Sequence, residues 1–189
     1  MAAADSSAQQ ASFVIVTGPS RGGKSRWAES LVADFAEVVY VATSASRPDD
    51  LNWQERIRLH RDRRPAHWRL VESGPDLAAH LLTLAPGSTE QAVLIDALGG
   101  FVAAHLDRDS RQWNDVCDGL CDAIAGMHQF RVLVIEETGW GLVPPTAIGG
   151  LFRDRLGLLA ERLNTLADDS WLVIQGRALN LHQLGQPVP

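Results

Sequence analysis

The chain has 189 residues, 46% hydrophobic and 21% charged, which suits one domain around a single core. A formal net charge of −6 argues against general affinity for nucleic acid or anionic membranes, so any basic site must be a local concentration of Arg. No stretch approaches the ~18 consecutive apolar residues of a membrane span, and residues 1–11 have neither a basic start nor an apolar run. The expectation is a cytoplasmic protein: a loose tail at 1–11, one domain at 12–176 and a C-terminal tail at 177–189.

Phe13–Thr17 is the first predicted strand, and a helical pattern runs from Lys24 to about Phe35 with Trp27, Leu31 and Phe35 on one face. Between them stand Gly18, Pro19, Ser20, Arg21, Gly22, Gly23, Lys24 and Ser25. Their G-x-x-x-x-G-K-S spacing, after a strand and before a helix, is that of a phosphate-binding loop. Glycines let backbone N–H groups close around a polyphosphate, Lys24 reaches its β/γ oxygens, and the Ser25 hydroxyl holds Mg²⁺. The bland alternative is a glycine-rich turn that matches by chance.

The second predicted strand, Val38–Val41, ends in Ala42, Thr43 and Ser44, small residues that suit either the ligand side of a parallel sheet or a helix cap. In the stretch that follows, Trp53, Ile57 and His60 fall at i, i+4, i+7, so a short helix would anchor His60 on the side of two apolar residues. Arg56, Arg58, Arg61, Arg63 and Arg64 crowd about it. This is either an electropositive setting for chemistry or a solvated basic face with one half-buried His.

Trp68–Glu72 reads as a strand, and Asp76–Leu84 as a helix ended by Pro86-Gly87, with His80 structural. Ala92–Asp96 is a buried strand ending in a carboxylate, which places Asp96 either on Mg²⁺ across from the phosphate loop or as a cap on the next turn. Residues 112–128 form an amphipathic helix, whose Cys117 and Cys121 read as small buried apolar residues. Arg131–Ile135 is the next strand, followed by Glu136, Glu137, Thr138 and a turn-rich loop at 139–145. Thr146–Ala167 is a long helix with Gly149-Gly150 as a point where it could break, and Trp171–Gln175 is the last strand. From Arg177 on there is no period. Alternating β and α elements predict an α/β fold with a mostly parallel central sheet flanked by helices.

Across most of its length the chain resembles the bifunctional adenosylcobinamide kinase/adenosylcobinamide-phosphate guanylyltransferase family of cobalamin biosynthesis. The matching stretches are Val16-Thr17-Gly18 through Lys24-Ser25-Arg26, Tyr40-Val41-Ala42-Thr43-Ser44, Arg56-Ile57 with His60-Arg61 and Arg64-Pro65, and Trp68. Further on they are Glu137 with Gly139 and Gly141-Leu142-Val143-Pro144, Phe152-Arg153-Asp154, and Val173 with Gly176.

The resemblance implies a RecA-like P-loop fold, a homotrimer, and two successive reactions on a corrinoid, adenosylcobinamide. ATP or GTP first phosphorylates its hydroxyl; GTP then donates GMP through a GMP-histidine intermediate. The family's nucleophile falls on His60. Its nucleotide contacts fall on Gly18 to Ser25, Ala42 to Ser44, Arg61, Asp62, Arg63, Arg64, Glu72 and Asp96. Its acidic residue after the core strand falls on Glu137, the expected acceptor of the hydroxyl proton, although Glu136 and Asp96 are equally suitable on chemistry alone.

The chain departs from the family's usual pattern at Glu136, Ala104 and Ala160-Glu161, where Asn, Asn and Asn-Gln are usual; these positions spare the nucleotide side. A P-loop kinase or nucleotidyltransferase for another small acceptor, or a non-catalytic nucleotide-binding regulator, are the alternative readings.

Overall fold

A computed structural model describes residues 12–44, 49–141 and 144–188, so the expected N-terminal tail, residues 45–48, Leu142, Val143 and Pro189 lie outside the described residues. Strands β1 (Phe13–Gly18), β2 (Glu37–Ala42), β3 (Arg69–Glu72), β4 (Gln91–Asp96), β5 (Phe130–Glu136), β6 (Asp169–Ile174) and β7 (Arg177–Asn180) form one sheet in the order β3-β2-β4-β5-β1-β6-β7. All pairings are parallel except β6 with β7. The helices are α1 (Lys24–Val32), α2 (Leu51–Arg63), α3 (Leu77–Leu84), α4 (Leu98–Ala103), α5 (Ser110–Ala125), α6 (Ala147–Asn164) and α7 (Leu181–Leu184).

The central strands are apolar at successive positions because both faces of a parallel sheet are covered. Phe13, Ile15, Val93, Ile95 and Leu133 face one core, closed by Leu77 and Leu81 of α3, Phe101 of α4, Leu120 and Ile124 of α5, and Leu156 and Leu159 of α6. Val14, Val16, Tyr40, Leu94 and Val134 face the other, under Ala28 and Val32 of α1. Each fully buried Leu, Ile or Phe contributes ~1.5–3 kcal/mol of transfer free energy. The expected mostly parallel sheet between helices is therefore what forms.

Several local expectations are corrected. The helix at Ala147–Asn164 is unbroken. Gly149 and Gly150 lie in its first turn, where the Gly149 N–H is taken by the Thr146 hydroxyl at 3.1 Å, so their low helix propensity acts where capping compensates. Helix α5 opens on a reciprocal box in which Asp109 accepts from the Gln112 N–H at 2.9 Å and Gln112 accepts from the Asp109 N–H. The aperiodic C-terminal tail is in part structured: Gln175 (φ 51°) and Gly176 (φ 73°) make a two-residue turn that folds β7 back on β6. Cys117 is buried as expected whereas Cys121 is only half-buried; both are free thiols, and burial pushes the Cys117 thiol up to about 11. His80 faces the start of its own helix, its Nδ1 2.9 Å from the Asp76 carbonyl.

The register brings the site candidates to one edge. Gly18 pairs with Glu136, Asp96 with Val134, and Ala42 with both Asp96 and Glu72. These are carboxyl ends of parallel strands, the edge at which α/β sheets bind ligands.

Candidate active site

The turn after β1 is built by close approach. A Cβ at Gly18 would lie 2.2 Å from the Val173 carbonyl oxygen, and one at Gly22 2.6 Å from the same atom. Gly18 has φ 147° and Gly23 φ 110°, conformations that favour glycine, and Arg21 enters the left-handed region at φ 59°. The Gly22 N–H returns to the Pro19 carbonyl at 3.2 Å, and the Gly22 carbonyl accepts from the Gly176 N–H at 3.0 Å, tying the loop to the β6–β7 turn. Gly18→Ala should therefore cost ~2–4 kcal/mol of stability by clash and strain, seen as a lowered thermal unfolding midpoint; an unchanged midpoint would show that the loop yields.

Helix α1 starts directly from Gly23 with no side chain capping it, so its N–H groups and positive dipole end are left for a ligand. Lys24 is only 8% exposed, and its Nζ donates to the Pro19 carbonyl at 2.8 Å. The ammonium group is thus held across the mouth of the loop. Ser20, Arg21, Gly23, Lys24, Ser25 and Arg26 form one wall of a cleft of about 660 Å³.

Asp96, Ala97, Val134 and Glu136 at the strand ends, and Glu55, Leu59 and Arg63 of α2, also line that cleft. The three from α2 fall at i, i+4, i+8, one face of the helix. The expected short helix thus exists, but its anchoring differs from expectation: Ile57 is 42% exposed. Among the described residues, α2 is fastened by charge. Arg63 donates two hydrogen bonds to Glu29 of α1, both at 2.6 Å, and Arg64 lies over the Tyr40 ring at 4.7 Å. That pairing holds the Arg63 guanidinium above its ordinary pKa. Arg58 bridges Glu55 and Asp62 along the helix surface, and Arg61 stands exposed 3.8 Å from Asp62. His60 follows Leu59 in α2; its side chain, like those of Trp53 and Arg56, lies outside the described residues.

The two adjacent carboxylates separate at the end of β5, where Glu136 is the last strand residue and Glu137 opens the following loop. Val134 and Glu136 face the cleft, so the departure at Glu136 does not spare the nucleotide side as expected; Glu137 does not line the cleft, and its carboxylate accepts the Gly139 N–H at 2.5 Å, stiffening the following loop. Glu136 accepts the Gly99 N–H at 2.8 Å. Burial pushes the Glu136 carboxyl above its ordinary range and the charge of Asp96 adds to this, while the Gly99 N–H and Lys24 oppose it. Asp96 accepts the Tyr40 hydroxyl at 2.8 Å.

The remaining candidates stand at the same edge but away from the loop. Thr43 is buried and its hydroxyl bonds to the Ala97 carbonyl. A Cβ at Gly100 would meet the Thr43 Oγ1 at 2.5 Å and the Ser44 nitrogen at 2.8 Å, so Thr43 and Ser44 pack on α4. The Ala42 carbonyl accepts the Ser73 N–H at 2.9 Å. Glu72 ends β3, exposed and four strand intervals from β1, ~19 Å across the edge.

The donor set suits a hard cation. Ser25 and Asp96 both offer oxygen ligands to one cleft. Among the described residues no group of three or more His, Cys, Asp or Glu side chains is arranged to hold a metal. A cation here would be shared with a nucleotide's phosphates, the manner in which Mg²⁺ is usually held.

Comparisons with known proteins fit this geometry. Residues 14–181 match the sequence model of a family described as cobinamide kinase / cobinamide phosphate guanyltransferase. The chain is 36% identical over 180 residues to the bifunctional adenosylcobalamin biosynthesis protein CobU of Salmonella typhimurium, covering 87% of this chain and 96% of that one. It is 34% identical to CobU of Escherichia coli over 87% of this chain and 96% of that one. To CobP of Pseudomonas aeruginosa it is 31% identical, over 92% and 98%. A prototypical ATPase from the type III secretion system of pathogenic bacteria superposes with a TM-score of 0.60 at 9% identity, over 93% of this chain and 59% of that one. At that identity the likeness bears on the fold alone, and it agrees with the RecA-like P-loop architecture.

Proposed function

The chain belongs to the cobinamide kinase / cobinamide phosphate guanyltransferase family, and on that premise we propose that it phosphorylates adenosylcobinamide and then converts the phosphate to its GDP ester. The observation that carries this reading is the shared cleft. Its lining includes the phosphate loop needed for γ-phosphoryl transfer together with Glu55, Leu59 and Arg63 of the helix to which His60 belongs.

In the first reaction, Lys24 and the loop amides bind the β/γ-phosphates of ATP or GTP. Ser25 and Asp96 would hold Mg²⁺, which supplies charge neutralisation between those phosphates when bound. The corrinoid hydroxyl oxygen bonds to the γ-phosphorus as the bond to the β,γ-bridging oxygen breaks, and a carboxylate accepts the hydroxyl proton. We assign that role in this chain to Glu136, where the family usually has Asn, because it faces the cleft and Glu137, on which the family's acidic residue falls, does not. Glu136→Gln should slow corrinoid phosphorylation ~10²-fold or more, whereas Glu137→Gln should stay within about threefold. The opposite ranking in single-turnover assays would return the role to Glu137.

In the second reaction, a neutral imidazole nitrogen of His60 bonds to the α-phosphorus of GTP and pyrophosphate departs. A phosphate oxygen of the phosphorylated corrinoid then displaces the histidine, and the phosphorus–nitrogen bond breaks. Arg61 and Arg64 beside it, with Arg63 facing the cleft, supply donors to the departing charge. The family resemblance supports a homotrimer in the cytoplasm, with Ala42 to Ser44, Asp62 and Glu72 contacting nucleotide and no role for nucleic acid. No helix among the described residues is long and apolar enough to cross a membrane.

The test is to incubate the protein with adenosylcobinamide, ATP, GTP and Mg²⁺ and separate the corrinoids by chromatography. The phosphate should form first and the GDP ester from it. Recovery of unmodified corrinoid from protein that binds nucleotide would favour a different acceptor.

A further inference from the structure

Tyr40 is the only tyrosine of the chain. It lies within β2, 6% exposed, on the face of the sheet covered by α1. A phenylalanine would fill the same space, so the hydroxyl calls for a separate explanation. It donates to Asp96 Oδ2 at 2.8 Å, across the β2–β4 pairing. The other polar contact of the ring is the Arg64 guanidinium, 4.7 Å from its centroid, immediately after the Arg63 that clasps Glu29 of α1. Burial, then the charge of Asp96, hold the phenol well above its ordinary pKa, and it remains a donor throughout the working range. One aromatic side chain therefore touches a carboxylate of the phosphate cleft with its tip and the end of the basic helix with its face.

We propose that Tyr40 is a positioning residue that orients the Asp96 carboxylate toward nucleotide-bound Mg²⁺ and couples that carboxylate to the Arg63-Arg64 end of α2. The proposal rests on reading Asp96 as the metal-side carboxylate. Partners that orient a metal's ligands typically govern ~10–100-fold of metal affinity, although they touch no metal themselves. The charged groups around the phenol are Asp96, Glu29, Arg63 and Arg64, so loss of the hydroxyl leaves the charge balance intact and removes only the orientation.

The experiment measures binding of a hydrolysis-resistant fluorescent GTP analogue to the full chain across a Mg²⁺ titration and in chelator. Wild type, Tyr40→Phe, Asp96→Asn and the double variant are compared. Tyr40→Phe should raise the half-saturating Mg²⁺ concentration ~10-fold and leave chelator binding within about twofold, and it should add nothing on the Asp96→Asn background. In wild type labelled with ¹³Cζ-tyrosine, the single resonance should move when Mg²⁺ and analogue bind together, and not with analogue alone.

If Asp96→Asn loses the Mg²⁺ response and Tyr40→Phe keeps it, the hydroxyl is only a satisfied core group and the proposal is overturned. Equal loss of binding with and without Mg²⁺ in Tyr40→Phe would overturn it as well, by showing a general packing role. An unchanged Mg²⁺ response in Asp96→Asn would instead remove the reading of Asp96 on which the proposal stands.

Discussion

Lys24→Ala should lose at least ~10²-fold in the rate of corrinoid phosphorylation, with nucleotide affinity falling alongside. The side chain is nearly buried, and the Pro19 carbonyl holds its ammonium group across the loop. The charge is therefore in place before nucleotide arrives, and no reorganisation is needed as negative charge shifts toward the β,γ-bridging oxygen. Alanine removes both the charge and the stem that fills the loop. The fold should survive, because the loop's shape comes from Gly18 and Gly22 against Val173 and from the Gly22–Gly176 hydrogen bond. A Lys24→Ala protein with a native unfolding midpoint and a phosphorylation rate within about threefold of wild type would remove the phosphate loop from the mechanism.

His60→Ala should abolish GMP transfer, to below ~1% of wild type, yet leave γ-phosphoryl transfer within about fivefold. The asymmetry follows from where the two sets of residues reside. Lys24 and Ser25 open α1 and Asp96 ends β4, whereas residue 60 belongs to α2. Helix α2 is fastened by Arg63 to Glu29 and by Arg64 to Tyr40, so truncation at position 60 leaves its attachment in place. The measurement is a pair of assays on one preparation, phosphate transfer from labelled γ-phosphate and GMP transfer from labelled α-phosphate. Equal losses in both would mean that His60 supports the cleft as a whole.

Contiguity explains what was legible beforehand. The phosphate loop lies within eight successive residues, and the strands leading to Gly18 and Asp96 each carry four successive apolar residues, Phe13–Val16 and Ala92–Ile95, because both faces are covered. Helix α4 is not legible in the sequence because it spans only Leu98–Ala103, too short for a 3.6 period to register, and includes Gly99 and Gly100. The β6–β7 hairpin was marked only by Gln175-Gly176, a weak turn signal. The anchoring of α2 was beyond local reading altogether. Its apolar residues suggested a buried stripe, and the actual fastening joins Arg63 to Glu29, 34 positions away. Which of Glu136 and Glu137 turns toward the cleft was not legible in the sequence either, because Glu136 is the last residue of β5 and Glu137 already belongs to the loop, where strand alternation no longer applies.

Two chemistries in one cleft is the central claim, and covalent guanylylation tests it most directly. Intact-mass spectrometry of the wild-type protein after incubation with GTP and Mg²⁺, without corrinoid, should show a mass increase of one GMP with release of pyrophosphate. The adduct should be acid-labile and base-stable, as a phosphorus–nitrogen bond is, and peptide mapping should place it on His60 and not on His67 or His80. Protein that binds GTP under these conditions yet gains no GMP, or gains it at another residue, would contradict the account.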